Sequence, residues 1–292
     1  MLRRYPRELI QSLRSSAGAP VPASEFASTW ARVVDEQPVV SWLGHCTVLL
    51  RIHGKTILTD PVLSHRIGFR VGPLTVGMGR LADPPVHARD LPPIDIVLLS
   101  HPHFDHLDRP TLRALASPGT TVITARATSR LIPRGFGAVH ELDWGQDRTV
   151  EGISFKAIRP AHWGARTIWD RHRGYNSYLI DAPDRRILFA GDTAHTESFG
   201  GLGPVDLAIF GIGAYDPWIH AHANPEQVWS MFRDIRGELL LPVHHSTFKL
   251  SEEPAHEPLQ RLLVAAGSDQ ARVLRCQPGE VLVAASGPPN GR

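Results

Sequence analysis

His101, His103, Asp105 and His106 place three imidazoles and a carboxylate within six positions of a 292-residue chain. Imidazole nitrogen and carboxylate oxygen are the ligand set of zinc and its first-row neighbours. The run before them, residues 94–100, is apolar, rich in β-branched side chains and short enough for a buried strand. Leaving an extended strand, His101 and His103 are i and i+2, so both rings can point to one side. Asp105 and His106 follow where the chain must turn toward a helix, within reach of a second point. Asp108, then Pro110, gives the N-cap and early-proline start, with Leu112 and Leu115 on the buried face. The order is strand, metal loop, helix, which a histidine-rich surface loop does not require.

Elements elsewhere must bring further ligands to this loop. Residues 39–45, 48–52 and 55–60 read as a meander of three strands, with turns at Gly44 and at His53-Gly54. Residues 64–93 carry no sustained period and are punctuated by Gly68, Gly72, Gly77, Gly79, Pro84, Pro85, Pro92 and Pro93. A long structureless loop is expected there, with Arg66, Phe69, Arg70, Met78 and Arg80 available to cover a substrate. Further strands are expected over 120–124, 139–144, 153–158, 175–181, 186–190, 205–210 and 238–243, with short ones at 273–275 and 281–283. A helical piece is expected at 127–132. Asn224-Pro225-Glu226 starts a helix with the stripe Val228, Met231, Phe232 and Ile235, and a second runs over 257–266 to Gly267. Four of the buried strands end in a potential ligand: His101/His103, His162, Asp192 and His244. Strand ends gather at one edge of a sheet, which predicts two sheet-plus-helix halves packed face to face with the site along their shared edge.

Composition narrows the function classes. A formal charge of +2 without a long Lys/Arg run gives no nucleic-acid footprint. Cys46 and Cys276 are too few for a disulfide framework, so a reducing, cytoplasmic setting is expected. The basic start Met1-Leu2-Arg3-Arg4 leads into no apolar signal region, and no run of about twenty apolar residues could span a bilayer. Leu9, Ile10 and Leu13 form a short amphipathic stretch and residues 17–22 a Gly/Pro/Ala linker. Residues 1–38 are therefore expected as an N-terminal arm and residues 39–292 as a single domain. Sixteen histidines are the compositional outlier, and histidine is the commonest metal ligand.

The ordered set His101-Pro102-His103-Phe104-Asp105-His106, Pro160-Ala161-His162-Trp163, Gly191-Asp192-Thr193 and a final His244 resembles the metallo-β-lactamase superfamily of αββα metallohydrolases. The resemblance runs from Val39 to the C-terminus. It is similar to the branch holding N-acyl-phosphatidylethanolamine phospholipase D and ascorbate-6-phosphate lactonase. The residues that carry this are Trp42-Leu43-Gly44-His45-Cys46-Thr47, Leu58-Thr59-Asp60-Pro61-Val62, Leu91-Pro92-Pro93-Ile94-Asp95, Gly211-Ile212-Gly213-Ala214-Tyr215 and Asn224-Pro225-Glu226. The implied fold is α/β (α+β), a four-layer αββα sandwich with the metal site at one edge of its two sheets.

Residue by residue, the resemblance implies that His101, His103 and His162 hold one divalent ion, and that Asp105, His106 and His244 hold a second, with Asp192 bridging. Zinc suits this set, and manganese or iron(II) fits the same ligands. Spacing alone does not choose between His244 and His245, which a strand sends to opposite sides; the resemblance selects His244. It also implies that Asp105, Asp192 and His222 carry catalysis, with His222 positioning a leaving group or donating a proton. His45 and Asp60 are expected to orient ligands. His195 stands where the phospholipase has a tyrosine, a departure, and Arg166 is a candidate for a substrate phosphate. The expected activity is hydrolysis by a metal-bridging hydroxide of a phosphodiester, as in phospholipase D. A lactonase or other carbonyl-ester hydrolase on a small anionic substrate is the alternative, and a non-catalytic metal-binding protein a third reading. The expected partner is a small-molecule or lipid-like anion, with peripheral membrane contact and homo-oligomerisation left open.

Overall fold

A computed structural model describes residues 23–32, 38–72, 74–167 and 169–283. The amphipathic stretch at residues 9–13 and the linker at 17–22 lie outside the described residues. In chain order the elements are α1 (Ala23–Arg32), β1 (Val39–Trp42), β2 (Val48–Ile52), β3 (Lys55–Thr59), β4 (Arg66–Val71), β5 (Leu74–Gly79), β6 (Ile96–Leu99), α2 (Arg109–Leu115), β7 (Thr121–Ala125) and β8 (Ala138–Leu142). Then come β9 (Asp147–Val150), β10 (Ile153–Ile158), β11 (Ser177–Asp181), β12 (Arg186–Phe189), β13 (Leu207–Gly211), α3 (Pro225–Asp234), β14 (Leu239–Val243), α4 (Glu257–Ala266) and β15 (Val281–Val283).

The strands form a seven-stranded sheet, β15-β1-β2-β3-β6-β7-β8, and a six-stranded sheet, β14-β13-β12-β11-β10-β9. Both are mixed. β3, β6, β7 and β8 run parallel, as do β12, β13 and β14, and the remaining pairs are antiparallel. Parallel central strands are buried on both faces, which explains why β6 and β13 read as unbroken apolar runs.

Three buried clusters define the layers. Val48, Leu50, Ile57, Ile96 and Leu98 of the first sheet meet Phe155, Tyr178, Ile180, Phe189 and Ile209 of the second. On the outer face of the first sheet, Phe26 and Trp30 of α1 and Leu112 and Leu115 of α2 cover Leu49, Leu58, Val97 and Val122. Val228, Met231 and Phe232 of α3 and Leu262 of α4 cover Leu188, Ala208 and Leu240 on the outer face of the second. Helix, sheet, sheet, helix is the expected αββα sandwich.

The helix starts read in the sequence are the ones formed. Asp108 accepts from the backbone N–H of Thr111 at the head of α2, and Asn224 and Gln227 close a reciprocal capping box at the head of α3.

Three expectations are corrected. Residues 64–93 are not a structureless loop, because β4 and β5 form an antiparallel ribbon of their own. Gly68 faces Gly77 across it, and a Cβ on Gly68 would lie 2.2 Å from the Val76 carbonyl oxygen. Glycines needed for that close approach read as turn residues in the sequence and mask the strands. Residues 147–150, where no strand is expected, form β9, the polar and largely exposed edge of the second sheet. Of residues 273–275, only Val273 makes a bridge, to Leu240.

Candidate metal centre

The strands β10, β12 and β14 each lead into one side chain at the same edge of the sandwich, and the loop after β6 hands over four. His101, His103, His162 and Asp192 bring one donor atom each to within 4.8 Å of one another, and so do Asp105, His106, Asp192 and His244. Asp192 belongs to both groups. Its Oδ2 lies 3.1 Å from His106 Nε2, 3.2 Å from His244 Nε2, 3.7 Å from His162 Nε2 and 3.8 Å from His101 Nε2.

Backbone geometry makes these approaches. Gly191 has φ 59°, and a Cβ there would sit 2.9 Å from Ser100 Cβ, so the turn that delivers Asp192 against the β6 loop takes no side chain. His45, Asp60 and His244 also lie in the left-handed region, at φ 52°, 32° and 60°. Strain at non-glycine positions of this kind concentrates at functional sites.

Surrounding groups fix which nitrogen of each ring faces inward. His106 Nδ1 donates to Asp60 Oδ2 at 2.7 Å, leaving Nε2 toward Asp192. His162 Nδ1 donates to the Ala221 carbonyl at 3.1 Å. His101 Nδ1 is 2.9 Å from Ser100 Oγ, whose hydroxyl donates to Asp60 at 2.5 Å. His45 Nε2 sits 3.0 Å from Asp105 Oδ2, and its backbone N–H donates to Thr247 Oγ1. Asp60 and His45 therefore grip cluster residues from behind.

The electrostatics suit cations. Burial, reinforced by neighbouring imidazoles, holds His101 and His162 well below the ordinary histidine range, which is the neutral form that ligates. Burial opposes ionisation of Asp105 and Asp192 too, but His106, His244 and other imidazoles outweigh it and hold both carboxyls well below their usual range. Against the same burial, Asp192 and Asp105 push His244 up to about 9 and His106 well above its ordinary value. Two carboxylates thus demand positive charge, which protons supply when cations do not. His106 Nε2, His244 Nε2 and Asp192 Oδ1 are buried and find no hydrogen bond among the described residues. Orphaned nitrogens and a carboxylate oxygen aimed into a cationic-demand site fit divalent metal ions.

The other expected site residues fall into place differently. His222 joins the rim, its Nδ1 3.9 Å from Asp192 Oδ2 and its ring stacked at 5.1 Å on His244. Burial lowers its pKa to about 4, so it is neutral at pH 7. His245 turns away and stacks on Trp42 at 4.8 Å. Arg166 lies over Phe104 at 3.9 Å and donates to the carbonyls of Pro102 and Leu107, so its guanidinium braces the metal loop. His195 is exposed beyond Asp192 and stands outside both donor groups.

Three participants escaped sequence reasoning. Ser100 orients His101, Thr247 orients His45, and Cys46 forms a further donor group with His45, His106 and His244. Ser100 and Cys46 adjoin ligand-bearing motifs, which was the only signal available.

Comparison with known proteins agrees with this geometry. Residues 55–245 match the family described as β-lactamase superfamily domain. The chain belongs to that superfamily. As a member it is a metal-dependent hydrolase of the β-lactamase fold, with a His/Asp cluster that can hold metals. An uncharacterized protein of Mycobacterium tuberculosis is 36% identical over 260 residues, spanning 82% of this chain and 67% of that protein. N-acyl-phosphatidylethanolamine-hydrolyzing phospholipase D 1 of Caenorhabditis elegans is 30% identical over 244 residues, spanning 76% and 68%. Among solved structures, the isothiocyanate hydrolase from Delia radicum gut bacteria superposes with a TM-score of 0.67 at 17% identity, over 85% of this chain and 100% of that one, a likeness of fold. No helix among the described residues of this superfamily member is long and apolar enough to cross a membrane.

Proposed function

We propose that the protein hydrolyses a phosphodiester with two divalent cations, zinc by preference of the ligand set. His101, His103, His162 and Asp192 would hold one cation, and Asp105, His106, His244 and Asp192 the other. The observation that carries this reading is the double membership of Asp192, one carboxylate common to two donor groups. Such cations supply Lewis acidity, making water acidic enough to yield hydroxide near neutral pH and offsetting charge that builds on phosphoryl oxygens.

The chain's own residues do the rest. Asp60, Ser100 and the Ala221 carbonyl hold the ring nitrogens of His106, His101 and His162 in one tautomer. His45 steadies Asp105. His222, neutral at the mouth of the cluster, donates a hydrogen bond to the departing oxygen rather than a full charge. A phosphodiester is favoured over a carbonyl substrate by the 30% identity to a phospholipase D across most of the domain. A side-by-side assay on a soluble phosphodiester, a lactone and a thioester tests the choice. Phosphodiester turnover alone or in clear excess is expected; a preference for the lactone or thioester would replace this substrate assignment.

A further inference from the structure

The β4–β5 ribbon has one apolar face. Register pairs Ile67 with Met78 and Phe69 with Val76, and Leu74 lies two residues from Val76, so five apolar residues share a side, while Arg66, Gly68, Arg70, Thr75, Gly77 and Gly79 take the other. The base of this face is covered: Ile67 packs with Val62 and Phe248, Met78 adds to that cluster, and the Phe69 ring lies 4.7 Å from that of Phe104. Toward the tip, Phe69, Leu74 and Val76 are 59%, 68% and 52% exposed. The ribbon extends neither large sheet and is tied down at its root by the Arg80–Phe248 bridge.

Phe69 continues into a cleft with Trp163, Arg166, Trp169, Arg171 and Tyr175. Trp169, at 86% exposure, is the most open large apolar side chain among the described residues. The cleft adjoins the candidate metal centre, since the Trp163 ring packs 5.1 Å from that of His103 and 4.4 Å from that of His162. Exposed Phe, Leu, Val and Trp gathered beside a site mark an interaction surface rather than scattered surface residues.

Charge and extent select the occupant. No Asp or Glu occurs between Ser64 and Ala82, Arg70 is exposed on the opposite face of the ribbon, and Arg171 is exposed in the cleft beside the apolar patch. Asp170, the acid within the neighbouring segment, is engaged by Arg173 and Thr167. A small ligand in the cleft would cover Phe69 and Trp169 but leave Leu74 and Val76 in water, because neither lines the cleft. An extended partner that is apolar within and anionic at its face covers all of them. Aliphatic tips under a ring of Arg and Trp are the chemistry of a protein seated in the headgroup layer of a bilayer.

We propose that the ribbon tip and the Trp169 segment dock this protein on an anionic lipid surface, with the metal centre opening toward that surface. Docking stands independently of which bond is hydrolysed.

Co-sedimentation of the full chain with equimolar phosphatidylcholine/phosphatidylglycerol vesicles, and with phosphatidylcholine vesicles, tests it. The protein is expected to bind the anionic vesicles, more weakly at high salt. A Leu74→Thr/Val76→Thr variant, which keeps strand-compatible residues at exposed positions, is expected to bind at least about tenfold more weakly. Arg70→Glu is expected to reduce the preference for anionic vesicles. Circular dichroism and turnover of a soluble phosphodiester should be unchanged in the double variant; if the wild type turns over no phosphodiester, the function assignment fails while vesicle binding is still read. Absence of wild-type binding, or equal binding by the double variant, overturns the proposal. So does a wild-type dimer that the double variant converts to monomer, which would make the face a contact between two copies.

Discussion

Asp60 Oδ2 accepts a hydrogen bond from His106 Nδ1 over 2.7 Å, with both side chains fully removed from solvent. Asp60 also accepts from the backbone N–H and the hydroxyl of Ser100, so its orientation is fixed from the β6 side before it meets the imidazole. A carboxylate behind a histidine sets its tautomer and raises its basicity as a ligand, and losing such a partner costs roughly 10–100-fold in metal affinity. Asp60→Asn is expected to weaken metal binding by about that factor, measured by competition with a chromophoric chelator. Unchanged affinity would show that His106 does not ligate through Nε2.

Metal uptake is expected to release protons. His244, at about 9, is protonated at pH 7 in the metal-free protein, and Asp192 and Asp105 hold His106 well above its ordinary value against burial, whereas ligation requires the neutral ring. Adding zinc in weak buffer at pH 7 should liberate on the order of two protons from these rings. The sign for stability follows: a pKa raised from 6.5 to about 9 stabilises the metal-free fold fully below pH 6.5, and that contribution is lost as pH rises through 9. Thermal unfolding of metal-free protein should therefore move to lower temperature between those pH values, and a flat profile would contradict the charge state assigned to His244.

His222 should separate turnover from metal binding. His222→Ala removes the hydrogen-bond donor to the departing oxygen, so metal content should be retained while kcat falls by about 10²–10³-fold. Loss of metal in this variant would place His222 among the ligands.

Arg166 braces the carbonyls of Pro102 and Leu107 from within the fold. Arg166→Met leaves those acceptors short of a donor, and unmet buried groups cost about 1–3 kcal/mol each. The variant should melt earlier and bind metal less tightly, with KM for a phosphodiester little changed. A large selective rise in KM would return Arg166 to the substrate.

Much of the site was legible because rigid strands end in their functional side chains. The periods of β6, β10, β12 and β14 locate His101, His162, Asp192 and His244 at one sheet edge without knowledge of the tertiary fold. Spacing does not choose between His244 and His245, and the family resemblance selects His244; in the structure the left-handed turn at His244 points its ring at Asp192 while His245 stacks on Trp42. The ribbon was illegible for a different reason: its alternation is intact, but Gly68, Gly72, Gly77 and Gly79 read as turn punctuation, whereas Gly68 and Gly77 lie opposite each other where side chains would clash. β9 was missed because an exposed edge strand with the sequence Asp147-Arg148-Thr149-Val150 carries no apolar face to announce it. The bracing role of Arg166 depends on carbonyls some sixty residues away, which no local pattern encodes.

The account turns on one carboxylate shared by two cations, and metal stoichiometry reads it directly. Protein equilibrated with zinc, freed of unbound metal by gel filtration and assayed by inductively coupled plasma mass spectrometry should carry close to two zinc ions per chain. Asp192→Ala should lose that second equivalent together with nearly all turnover. An active wild type holding no more than one metal, or an Asp192→Ala variant that keeps two and its activity, would contradict the dinuclear centre.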